Sequence, residues 1–154
     1  WEQHCRDFVH EMDLGIKVES VEVGSDASLE AQARNARYDA FERYMAKDAV
    51  LLLAHHLDDQ VETIMFRLIR GAGPAGLSGI PKSRALGAGE ILRPLLGISR
   101  SEIEDYASAL SLESIEDPSN VDTSLDRNFL RHQVLPLIAE RWPGYRSGIA
   151  RRQI

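Results

Sequence analysis

The order of apolar runs in this chain predicts an α/β fold: a parallel sheet flanked by helices, followed by a mainly helical segment. Three observations carry that expectation. Runs with helical spacing alternate with short apolar runs through residue 70, the pattern of helices covering a parallel sheet. The run Leu51-Leu52-Leu53-Ala54 is short and bounded by polar residues, as a buried strand of such a sheet should be. It stops at His55-His56-Leu57-Asp58-Asp59-Gln60-Val61-Glu62-Thr63, which puts a polar block at the carboxyl end of the strand, where open α/β sheets bind ligands.

Each element has its own signal. Cys5, Phe8, Val9 and Met12 share a helical face, with Gly15 placed to end the helix and Cys5 expected inside. Ile16, Val18, Val21 and Val23 alternate imperfectly as a strand, and Ser25 to Ser28 supply turn and cap residues. Ala33, Ala36, Ala40, Phe41 and Tyr44 define a second helix ending near Lys47. A strand over 49–54 and a helix over 59–70 follow, the helix carried by Val61, Ile64, Met65, Leu68 and Ile69 with Gly71 at its end. Further on, Glu90 to Leu96 suits a short strand, and Ser99 with Glu102 forms a capping box for a helix through Leu110. Residues 117–126 are turn-rich, Asp126 is placed to cap the next helix, and Pro136 should kink or interrupt that helix.

Composition bounds the class. With 154 residues, 44% of them hydrophobic, the chain is one domain's worth of packed protein. Its single cysteine excludes an internal disulfide framework and fits a reducing compartment. No apolar run is long enough for a membrane helix, so the expected setting is cytoplasmic, with no membrane partner. Net charge is -6, which argues against indiscriminate nucleic-acid binding. The charge is uneven, however: from Arg127 onward there are six arginines and only Glu140, either a phosphate-binding face or a solvated helix surface.

In the polar block, Asp58 and Asp59 fall in a first helical turn and Glu62 one turn on. Carboxylates there are often caps that the helix dipole favours. Beside His55 and His56 they also suit binding a divalent ion, accepting a proton or holding a phosphate. The spacing is not that of a zinc site. Next comes Arg70-Gly71-Ala72-Gly73-Pro74-Ala75-Gly76-Leu77-Ser78-Gly79, with four glycines. It reads equally as a backbone cradle for phosphate or as a surface connection, and it lacks the Lys-Ser/Thr pair of a P-loop.

Taken with Asp126-Arg127-Asn128-Phe129-Leu130-Arg131, Glu30-Ala31-Gln32-Ala33-Arg34-Asn35-Ala36-Arg37-Tyr38 and Ile115-Glu116-Asp117-Pro118-Ser119-Asn120, these two segments resemble the tRNA(Ile)-lysidine synthetase family of N-type ATP pyrophosphatases. The five segments occur in that family's order. The resemblance implies a Rossmann-like, adenine nucleotide alpha hydrolase-like fold and an ATP-dependent ligase that converts the wobble cytidine of a tRNA(Ile) with a CAU anticodon to lysidine. Its partners would be that tRNA and free L-lysine, its cofactors ATP and Mg2+, and a homodimer is left open. The family's Ser-Gly-Gly-x-Asp-Ser phosphate loop is not among these residues, so the resemblance is to the later part of a catalytic domain. Residues 1–96 would be a partial ATP pyrophosphatase domain and 97–154 its helical continuation with a basic end.

The site residues implied by the resemblance follow its motifs. Asp59 is assigned to Mg2+ together with Asp58 or Glu62, and His55 or His56 to phosphate contact or proton transfer. Arg127 would meet the phosphate or the adenylated base. Arg34, Arg37, Arg70, Gly71, Gly73, Gly76, Asn120, Asn128 and Arg131 would bind ATP or tRNA. Rival readings are a related tRNA-thiolating enzyme of the same fold, which the lone Cys5 disfavours, and a non-catalytic RNA-binding module.

Overall fold

The computed structural model describes residues 1–22 and 29–150. They form two compact units, Trp1–Val50 with Ala85–Glu90, and Leu51–Arg84 with Ile91–Ile154.

The first unit opens with helix α1, Glu2–Glu11. It ends earlier than Gly15: Asp13 takes φ 53°, its amide bonds the His10 carbonyl and the Leu14 amide bonds that of Val9, a Schellman exit without glycine. Cys5 is exposed, contrary to the expected burial, because α1 buries none of its residues. Residues 14–22 form no strand. Their alternation breaks between Val18 and Val21, and the segment instead meets the end of helix α2 (Leu29–Arg43), with Glu19 paired to Arg43 and Lys17 over the Tyr44 ring at 4.6 Å. Val23 and the turn residues Ser25 to Ser28 lie outside the described residues.

The sheet holds β1 (Val50–Leu52), β2 (Ser83–Leu86) and β3 (Gly89–Leu92) in the order β1-β3-β2. The Glu90 amide bonds the Ala49 carbonyl at 3.0 Å and the Leu53 amide bonds that of Leu92 at 2.9 Å. These pairings advance together along both strands, so β1 and β3 are parallel. The Gly87–Ala88 turn, with Gly87 at φ 55°, returns β2 antiparallel to β3 as a hairpin edge on the α/β sheet. A side chain at Gly89 would lie 2.3 Å from the Ala49 carbonyl oxygen, so β3 approaches the β1 side this closely only with glycine there.

The second unit is built on helix α3, Leu57–Ile69. It buries Val61 against Leu135 and Tyr145, with Met65, Ile138, Ala139 and Ile149 packed around them. Each such buried apolar side chain contributes about 1.5–3 kcal/mol. Helix α4 (Arg100–Ala109) starts on the expected Ser99–Glu102 capping box. A 3-10 turn, Pro118–Val121, is capped by Asp117. Then come α5 (Asp126–Phe129), a π-helical turn (Leu130–Val134), α6 (Leu135–Arg141) and α7 (Tyr145–Ala150). Asp126 does not cap α5; Leu125 is its N-cap residue and Asp126 lies in the first turn. Pro136 does interrupt the helix. It lacks an amide hydrogen and its ring would strike the carbonyl four residues back, so the chain widens into the π turn and restarts with Pro136 in the first turn of α6.

Candidate functional site

The strand end delivers His56 as the N-cap of α3. Its Nδ1 accepts from the Asp59 amide at 3.4 Å, while Asp59 Oδ2 accepts from the His56 amide at 2.9 Å. This is a capping box in which histidine and aspartate stand where serine and glutamate are usual. It fixes both functional candidates by the backbone alone. His55 precedes the cap and is half-buried.

The three carboxylates expected around a metal ion are not gathered for one. Glu62 is 2% exposed, and its two oxygens accept from Arg131 Nε at 2.7 Å and Nη2 at 2.9 Å, a bidentate pair joining α3 to the π turn. Asp58 accepts from Arg146 Nε at 2.6 Å and from the Arg100 amide at 2.8 Å. Burial pushes the Asp58 carboxyl up, but the Arg100 amide, the Arg146 guanidinium and His56 outweigh it and hold the group below the usual carboxylate range. The hydrogen bonds to Glu62 outweigh burial at Arg131 and raise its guanidinium still higher. Asp59 keeps Oδ1 clear of so close a cation, with Arg131 3.8 Å away. Among the described residues, no group of three or more histidine, cysteine or acidic side chains is placed to hold a metal ion. What fits the donor set is a cation held by Asp59 and completed by ligand oxygens, the usual arrangement for Mg2+.

The Gly-rich segment is clamped by its backbone. Arg67 donates Nη1 to the carbonyls of Gly76 at 2.9 Å and Gly79 at 2.8 Å. The buried Gln60 amide bonds the Ile80 carbonyl and amide, at 2.9 and 2.5 Å, and Arg93 Nη1 bonds the Pro81 carbonyl at 2.8 Å. The amides of Gly76, Leu77 and Ser78 bond carbonyls inside the segment, which leaves them no free donor for a phosphate. Gly71 supplies the φ 77° exit from α3, a side chain at Gly76 would meet Ala72 Cβ at 2.8 Å, and around Gly73 there is open space. Arg70 caps the far end of α3 with its guanidinium over Phe66, about 18 Å from the acidic turn at 1.5 Å per residue.

Asn128 is buried and donates to the Ser119 and Asp122 carbonyls at 2.8 and 2.9 Å, so it holds the 3-10 turn on α5. The Asn120 carbonyl meets His132 Nε2 at 2.8 Å. Arg127 is half-buried on α5. A cleft of about 830 Å³ within this unit is lined by Asp58, Glu62, Arg100, Asn120, Arg131 and Arg146 among others. Arg34 and Arg37 are exposed on α2 in the other unit, Arg34 over the Tyr38 ring at 5.0 Å.

Sequence reasoning missed Gln60, Arg67, Arg93, Arg100 and Arg146. Gln60, Thr63 and Arg67 sit at i, i+3 and i+7 on one face of α3, a polar stripe that signals a backbone partner. Nothing local marks Arg146, whose partner lies 88 positions away.

Comparison with known proteins accords with the resemblance read from the motifs. The model of the PP-loop domain matches residues 1–138. Proteins named tRNA(Ile)-lysidine synthase from Pseudomonas aeruginosa and Serratia proteamaculans are 48% and 49% identical over 98% of the chain, covering 34% and 35% of those proteins. One from Legionella pneumophila is 43% identical over the same share of the chain. The chain thus spans about a third of the length of these relatives. The U34-tRNA thiolase NcsA from Methanococcus maripaludis, solved with its [4Fe-4S] cluster, shares the fold with a TM-score of 0.70 over 97% of this chain and 54% of its own, at 17% identity.

Proposed function

Because the chain belongs to the PP-loop domain family, we propose that it is part of an ATP-dependent ligase that joins lysine to C2 of the wobble cytidine in a tRNA(Ile) with a CAU anticodon. The observation that carries this reading is 43–49% identity to tRNA(Ile)-lysidine synthases along 98% of the chain. The cytidine C2 carbonyl oxygen attacks the α-phosphate of ATP and diphosphate leaves. The deprotonated ε-amine of lysine then attacks C2 of the adenylated base, and AMP departs with the oxygen.

Both steps build negative charge on phosphate oxygens, so the protein's task is positioning and charge stabilisation. Asp59, fixed by the capping box and with the Arg131 guanidinium 3.8 Å from Oδ1 rather than in hydrogen-bond contact as at Glu62, is the residue to hold Mg2+. When bound, Mg2+ supplies charge neutralisation at the phosphates. His56 spends Nδ1 on the cap, which leaves proton handling or phosphate contact to its Nε2 or to His55. Arg127 meets the phosphate or the adenylated base, while Arg131, held by Glu62, fixes the frame of that motif. The exposed Arg34, Arg37 and Arg70 suit the tRNA backbone. A cytoplasmic setting follows from the substrate, and among the described residues no helix is long and apolar enough to cross a membrane.

The test is incubation of the full-length protein with ATP, Mg2+, labelled lysine and a CAU-anticodon tRNA(Ile) transcript. Label should enter the tRNA, with one AMP released per lysine. ATP consumption with no lysine entering the tRNA, and sulfur entering it once a sulfide donor is added, would overturn the reading.

A further inference from the structure

The PP-loop match ends at residue 138, yet the acidic turn of α3 draws one of its arginines from beyond that point. Arg146 on α7 bonds Asp58 at 2.6 Å. Its neighbour Tyr145 is buried in the core with Val61 and Leu135, so α7 is seated on α3 by packing as well as by charge. Asp58, Asp59 and Glu62 place three negative charges within the first two turns of one helix. Arg131 and Arg146 return two of them, at Glu62 and Asp58. Asp58, Glu62, Arg131 and Arg146 all line the same cleft, beside Glu104, Glu116 and Asp117 and next to Asp59 along α3, so an uncompensated carboxylate at Asp58 would add to the negative charge that any entering anion meets. Asp58 is only 15% exposed, where solvent screens such a charge poorly.

We propose that Arg146 is a positioning residue of the nucleotide site: by neutralising Asp58 and holding it against the α4 N-terminus, it lets the acidic turn meet a polyphosphate with one available carboxylate, Asp59, instead of two. This rests on the nucleotide-dependent reading above. It extends the working unit past the PP-loop match, through α7. The alternative role, a mere tether for α7, predicts a different response to substitution. A tether fails whenever the pair is lost, whereas a charge balancer is dispensable once its carboxylate is also gone.

The experiment measures tRNA-dependent ATP–diphosphate exchange in the full-length protein, with rates normalised to the folded fraction from melting curves. Arg146→Gln should raise KM for Mg-ATP about tenfold, the scale of one uncompensated charge about 10 Å from a polyanion in a partly screened site, with kcat little changed. Arg146→Lys should keep most of the affinity. The double variant Asp58→Asn/Arg146→Gln should return KM close to wild type. If Arg146→Gln unfolds, Arg146→Lys and the double variant carry the comparison. A wild-type KM in Arg146→Gln, or a double variant as impaired as the single one, overturns the proposal while leaving the ligase reading intact. Absence of exchange in the wild-type protein overturns the ligase reading, and this proposal with it.

Discussion

At the scale of single residues, the acidic turn divides its labour. Asp58 and Glu62 accept from guanidinium groups within 3 Å, whereas Asp59 bonds a backbone amide and keeps Arg131 at 3.8 Å. Asp59→Asn keeps the cap geometry but removes the charge a divalent ion needs, so adenylation should fall by at least about a hundredfold, with tRNA affinity unchanged. Exchange kinetics beside a tRNA binding curve check this, and wild-type exchange would refute it. Asp58 has a different signature. Its folded-state pKa lies below the ordinary value, so the stability it contributes is fully present above the unfolded pKa and is lost as pH falls through the folded one. The stability penalty of Asp58→Asn should therefore be larger at pH 7 than at pH 3. Denaturant titrations at the two pH values read it directly, and an equal penalty at both would mean that the Arg100 amide and the Arg146 guanidinium do not hold the carboxyl down.

Among the elements, α3 is the part most open to reading from sequence. Val61, Ile64 and Met65 give its period and Gly71 its end, but its start at Leu57 rather than 59 was hidden because a histidine cap is not a usual start signal. The hairpin strand Ser83-Arg84-Ala85-Leu86 escaped because one buried residue in four leaves no alternation to see. The strand expected from Ile16 failed for the opposite reason: β-branched residues were present, but among the described residues no ladder partner was. The π turn that follows α5 could be placed only as a break at Pro136, yet it sets the direction of Arg131. Removing that arginine strands Glu62 at 2% exposure. Arg131→Ala should thus cost about 3 kcal/mol of stability, as expected for breaking a buried pair from one side, while Glu62→Gln/Arg131→Gln costs much less. Thermal or denaturant unfolding of both variants decides it; equal losses would show that the pair is screened like a surface one.

For the chain as a whole, the charge count suggested a basic end, with six arginines against Glu140 from residue 127 onward. The structure spends two of those arginines inside the second unit, on Glu62 and Asp58. Arg127 also has a partner, and Arg151 and Arg152 lie outside the described residues. This is why composition overstated the cationic surface: a sum over sequence cannot see that opposite charges 69 and 88 positions apart meet. The motifs were legible because each is local, whereas their mutual pairing is tertiary. The consequence is measurable in RNA binding. Were all five net charges of that stretch free to meet phosphates, log Kd would change with log salt with a slope of about 3.5 for single-stranded RNA, each phosphate contributing about 0.7. With Arg131 and Arg146 committed to carboxylates, that stretch should contribute about 2 or less to the slope of this 154-residue chain on a single-stranded RNA, and Arg131→Gln/Arg146→Gln should leave the slope unchanged. Binding isotherms across a salt series measure it. A slope that falls by about 1.4 in that double variant would show that the internal pairs open to receive phosphate, and the acidic turn would then be regulated by the RNA itself.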